Sequence, residues 1–167
     1  MTAEGEFALV REHLETALEQ PSIGWVAFGD HEVLNLLLDV AAQQRDITAL
    51  QKYIPPAEEL ALRLGHRLNQ AVAHRAGGVM YRLVGQYDEA QSWLEQALEI
   101  FQHMNTRWQI GRTLFELGEL AVAKMNIVAA REHFAQALNA FEVIGAASDI
   151  ERTGEKLNLM QEGWKPE

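Results

Sequence analysis

The sequence predicts an all-α fold, a solenoid of antiparallel helix hairpins in a single domain over residues 1–167. Three observations predict it. A self-similarity of forty residues recurs along the chain, the mark of stacked supersecondary units. Within each unit, apolar residues fall at three- and four-residue spacing, the period of a helix that buries one stripe. Gly65, Asn105 and Gly145 are forty residues apart, each just past a helical stretch, where a residue tolerant of positive φ ends a helix.

In chain order, the first element is a partial repeat over residues 3–20, a lone helix carrying Phe7, Val10, Leu14, Ala17 and Leu18. The first full unit spans about residues 26–65 and is aligned by Ile47, Leu50, Ile54 and Ala57, with Asp30 and Asp46 standing where they can cap the helices that follow. Pro55-Pro56 contradicts it locally. A proline inside a helix removes a hydrogen bond and costs about 3 kcal/mol, so a break or kink is expected there, with a restart at Ala57-Glu58-Glu59.

The second unit, about residues 66–105, is the clearest. Its first helix, Leu68 to Leu83, aligns Val72, Ala76, Val79, Met80 and Leu83, and its second, Asp88 to Met104, aligns Ala90, Leu94, Ala97, Leu98 and Phe101. Gly85-Gln86 makes the turn. The third unit, about residues 106–147, repeats the pattern through Met125-Asn126-Ile127, Ala130, Phe134, Ala137 and Leu138, and Thr106 with Gln109 fits a capping box. A capping helix over residues 148–162 starts on a second such pair, Ser148 with Glu151, and ends at Gly163 before Pro166.

These residues resemble the tetratricopeptide repeats, whose pattern has a glycine and an aromatic late in the first helix, then Gly-x-Tyr-x-x-Ala, then an Ala-Leu pair. Gly78, Tyr81, Gly85, Tyr87, Ala90, Ala97 and Leu98 stand at those positions in the second unit, and the third keeps Gly118, Ala130, Phe134, Ala137 and Leu138 without the turn glycine. In the first unit Leu38 and Leu50 replace small residues, which implies a looser helix contact. The forty-residue unit, longer than the family's usual length of about thirty-four, is similar to the long-helix subtype of bacterial regulators and polarity adaptors. The resemblance covers about Gly5 to Glu162 and implies a right-handed superhelix whose first helices line a concave face.

Projecting the family's groove-facing positions onto the chain selects Asn35, Asp39 and Gln43, then Arg75, Val79 and Arg82, then Arg112, Phe115 and Glu119, with Arg152 from the cap. Arg75, Arg82 and Arg112 would converge as a local basic pocket in a chain with an acidic excess. Guanidinium groups hold carboxylates in bidentate fashion, so a carboxylate-bearing or acidic peptide is the implied partner, with Asn35 bonding its backbone. As exposed residues, these arginines should tolerate substitution for about 0.5 kcal/mol. Pairing with Glu116 and Glu119 is the competing arrangement.

Composition limits the alternatives. A formal charge of −10, from 24 acidic against 14 basic residues, opposes nucleic acid as a partner. No cysteine is present, which removes thiolate and zinc-thiolate chemistry and fits a reducing, cytoplasmic setting. The N-terminal residues lack the blocks of a secretory signal, and the apolar run from Val33 to Val40 is broken by Asn35 and Asp39, so no membrane span is expected.

The same residues carry no catalytic pattern. None of the six histidines stands at a metal-site spacing, and His13, Tyr53, Trp93 and His133 share one repeat column that reads as ring packing. Ser22, Ser92 and Ser148 lie outside any Gly-x-Ser-x-Gly, and Gly77-Gly78 lies within a helical pattern rather than after a strand. No catalytic, metal or cofactor site is predicted. The expectation is a non-catalytic protein–protein interaction module that binds a peptide or a helix of a partner on its concave face, the alternative a regulatory sensor or oligomerisation segment of a bacterial regulator that binds a small ligand or self-associates. The unpaired N-terminal helix further predicts a homodimer that covers its apolar stripe.

Overall fold

In the computed structural model, structure is described for residues 9, 11–16 and 30–161, and every regular element among them is helical. Residues 11–16 are helical and precede seven helices. These are α1 (Asp30–Gln44), α2 (Ile47–Leu64), α3 (Arg67–Leu83), α4 (Tyr87–His103), α5 (Arg107–Ala123), α6 (Ile127–Ile144) and α7 (Ala147–Gln161). Phe7, Val10, Ala17 and Leu18, of the apolar stripe behind the homodimer expectation, lie outside the described residues, as do Gly163, Pro166 and the Asp30 side chain.

One turn geometry recurs at half the sequence period. Arg45, Gly65, Gly85, Asn105, Met125 and Gly145 all have positive φ, between 52° and 81°. After each, the next residue's N–H reaches back to the carbonyl five residues before it, as in His66 to Ala61 at 2.9 Å and Asn126 to Ala121 at 2.8 Å. This is the Schellman closure, which satisfies the last carbonyls of one helix while the following residue opens the next. Gly65, Asn105 and Gly145 therefore end helices as expected. Arg45 and Met125 occupy the same conformation without glycine's freedom, at a cost of roughly 1 kcal/mol each.

The caps divide. Asp46 accepts from the Ala49 amide at 3.0 Å, and that bond, with Arg11 beside it, holds its carboxyl below the ordinary aspartate range. Thr106 does not cap α5: its hydroxyl donates back to the Phe101 carbonyl at 3.2 Å, and the Gln109 side chain is taken by Arg75. Ser148 lies inside α7, which begins at Ala147. The break expected at Pro55-Pro56 is absent, and α2 runs through both prolines. Both rings and both residues whose carbonyls lose an intrahelical donor, Gln51 and Lys52, are exposed, so water can satisfy what the helix leaves unpaired.

Two cores meet on α4. Leu37, Leu38, Leu50, Tyr53 and Val79 join Ala97 and Phe101 in the first; Ala90 and Leu94 join Phe115, Phe134 and Phe141 in the second. Glycine sets the closest helix approaches. A Cβ on Gly78 would stand 2.5 Å from Leu94 Cγ, and one on Gly118, forty residues on, 2.7 Å from the Phe134 ring. At the equivalent place in the first hairpin, Leu38 and Leu50 are fully buried, and the α1–α2 contact is sparser than those of α3–α4 and α5–α6.

Candidate functional site

The odd-numbered helices share one face, and its polar residues follow from helical spacing. Arg75, Val79 and Arg82 on α3, Arg112, Phe115 and Glu119 on α5, and Arg152 with Lys156 on α7 fall at three- and four-residue intervals, which places each set on one side of its helix. Eight of the ten residues expected on the face, all but Asn35 and Asp39, line a single cleft of about 240 Å³.

Asp39 lies at the root of this cleft and ties three helices together. Its Oδ1 accepts from Arg75 Nη2 at 3.0 Å and its Oδ2 from Arg112 Nη1 at 2.9 Å, so one carboxylate of α1 joins guanidinium groups of α3 and α5. Arg75 also donates to the Gln109 side chain. Farther along, Arg82 pairs with Glu116 at 3.0 Å, and Arg45 reaches Glu119 Oε2 at 3.3 Å. Lys156 Nζ stands 2.8 Å from Glu119 Oε1 without hydrogen-bond alignment. Asn35 donates to Asn69 at 2.9 Å, so its side-chain amide is engaged within the fold.

Arg75 departs from expectation. It is 4% exposed, not a surface residue. Burial, and after it the neighbouring Arg112 charge, pull its guanidinium down to about 10, with Asp39 acting the other way. It remains protonated at neutral pH. The expected pairing with Glu116 and Glu119 holds for Arg82 alone among the three arginines; Asp39 takes the other two.

Six cationic side chains line the cleft: Arg45, Arg75, Arg82, Arg112, Arg152 and Lys156. Glu116 and Glu119 line it too, while Asp39 and Asp149 hold Arg75, Arg112 and Arg152 from behind. Six positive charges thus face four negative ones, in a chain whose formal charge is −10. Arg152 also stacks over the Phe115 ring at 4.3 Å, and Trp108 Nε1 bonds the far oxygen of Asp149 at 3.0 Å. That contact orients the carboxylate that orients Arg152.

Sequence reasoning missed Arg45 and Lys156. Lys156 was legible, one helical turn from Arg152 on the same face. Arg45 was not, because its left-handed turn conformation, which aims it across the cleft mouth, is set by the hairpin closure. Elsewhere, His74 is buried between Glu58, 3.4 Å from its Nε2, and the Trp93 ring, edge-on at 5.1 Å. Among the described residues, no three His, Asp or Glu side chains are placed to hold a metal ion, and no helix is long and apolar enough to cross a membrane.

No protein-family model and no curated protein matches the chain. Among solved structures, the chain is similar to BtubC (BKLC) from P. vanneervenii, with a TM-score of 0.59 and 16% sequence identity, over 98% of this chain and 78% of that one. At that identity the likeness is one of fold, and it agrees with the all-helical architecture of the described residues.

Proposed function

We propose that the chain is a non-catalytic interaction module, a right-handed superhelical stack of hairpins of the tetratricopeptide type, that holds an acidic or carboxylate-bearing peptide of a protein partner. One observation carries the reading: three helices and a turn bring five arginines and a lysine to one cleft in an otherwise acidic chain. Concentrated positive charge against an opposite background steers and orients an anionic segment.

The cleft's shape favours a chain end or an extended acidic stretch over a helix. Bridges from Asp39 to Arg112 and from Arg45 to Glu119 cross from the first hairpin to α5, and a helix about 10–12 Å across does not fit in about 240 Å³. The same enclosure favours the second reading, a regulatory segment that takes a small anionic ligand in a cytoplasmic setting.

Fluorescence anisotropy with labelled acidic peptides tests the first reading. Arg152→Glu with Lys156→Glu, both at the solvent-facing side of the cleft, should weaken binding by about tenfold or more and leave the helical spectrum unchanged. Affinity that survives this reversal would overturn the cleft as the binding site.

A further inference from the structure

We propose that the group this cleft recognises is a doubly charged oxyanion, a phosphate monoester carried on the bound segment. This rests on the reading of the cleft as a peptide site and names the chemistry that the site selects. Charge balance is the first support. Six cations against Glu116, Glu119, Asp39 and Asp149 leave an excess of two positive charges, since Asp39 and Glu119 are each shared between two cations. A single carboxylate answers one of them, and a phosphate monoester, with a charge near −2 at neutral pH, answers both.

An unused donor is the second support. The Arg82 side chain is 9% exposed and gives Nη2 to Glu116, while its buried Nε has no partner. A charged guanidinium with a donor left unmatched gains from an added anion that draws it into a further charge-assisted hydrogen bond. The cation set is the third: five of the six are arginine, the side chain suited to planar, bidentate phosphate recognition. Arg75, Arg82 and Arg112, at most 12% exposed, form a floor, and Arg45, Arg152 and Lys156, from 36% to 59% exposed, form a rim.

Three peptides, identical except for a central phosphoserine, glutamate or serine, are titrated into the full chain, alongside inorganic phosphate, sulfate and free O-phosphoserine followed by melting temperature. The phosphoserine peptide is expected to bind about tenfold or more tighter than the glutamate peptide. Its affinity should fall as pH drops below about 6, where the monoester gains a proton, while the sulfate-induced melting shift stays level. Arg152→Gln with Lys156→Gln should abolish the preference, and Arg82→Gln should do the same if it folds.

Equal affinity for the phosphoserine and glutamate peptides overturns the dianion and leaves the acidic-peptide reading standing. Inorganic phosphate or O-phosphoserine binding as tightly as the phosphopeptide supports the dianion, makes a free ester its source and overturns the peptide reading. No binding by any peptide, with no melting shift from phosphate or sulfate, overturns both.

Discussion

Replacing Arg75 with glutamate should unfold the chain at a markedly lower temperature, although the residue was selected from sequence as part of an exposed face. Arg75 is 4% exposed, and its guanidinium meets Asp39 Oδ1 at 3.0 Å. A glutamate there removes the donor to Asp39 and Gln109 and sets a second carboxylate beside the first, with Arg112 as the remaining cation. Breaking a buried ion pair from one side costs about 3–5 kcal/mol. For a chain of this size each kcal/mol moves the midpoint by about 2–4 °C, so a fall of roughly 6–20 °C is expected. Arg75→Met keeps the volume and adds no charge, and should cost roughly 1–3 kcal/mol for the groups left unpaired. Arg131→Glu, an exposed charge reversal on α6, should stay within about 0.5 kcal/mol. Thermal unfolding followed by far-ultraviolet circular dichroism reads all three. A midpoint for Arg75→Glu equal to that of Arg131→Glu would refute the burial of this charge.

Gly118→Ala should destabilise by roughly 1–3 kcal/mol, because the added Cβ meets the Phe134 ring at 2.7 Å. Gly154→Ala, whose Cβ meets nothing within 4 Å, should stabilise by about 1 kcal/mol through helix propensity; urea denaturation with the same sign for both would contradict the close α5–α6 approach. Met125→Gly should stabilise by roughly 0.5–1 kcal/mol, since Met125 is exposed at a φ of 59°, and a loss of stability there would contradict the left-handed turn. Burial lowers the affinity of His74 and His133 for a proton, outweighing Glu58 beside the first and Glu132 and Glu95 beside the second. The unfolded chain therefore binds more protons, and stability should fall as pH drops through about 6.5. His74→Leu and His133→Leu should flatten that decline. A separate loss at lower pH, as Asp46 gains a proton and releases the Ala49 amide, should persist in both variants.

Local pattern was enough for the all-helical fold, its forty-residue step, and the ends of α2, α4 and α6 at Gly65, Asn105 and Gly145, because helix period and helix termination are read over a few neighbouring residues. It also set Gly78, Ala90 and Ala97 at the small-residue positions of the repeat pattern, and the structure buries Ala90 and Ala97 and brings Leu94 against Gly78. What each face residue does there was decided in three dimensions. Helical spacing puts Arg75 and Arg112 on the face, but only the rotation of α1 against α3 and α5 brings one Asp39 within 3.0 Å of both, across 36 and 73 residues. Pro55-Pro56 was misread for the same kind of reason: its cost depends on which side of α2 faces water, and both prolines face it. Arg45 enters the cleft because the two-residue turn forces a left-handed conformation on whatever residue stands there. Burial of a charge, reach of a side chain and excess of cations over carboxylates in one cleft are sums over helices distant in sequence, and those sums exist only once the helices are packed.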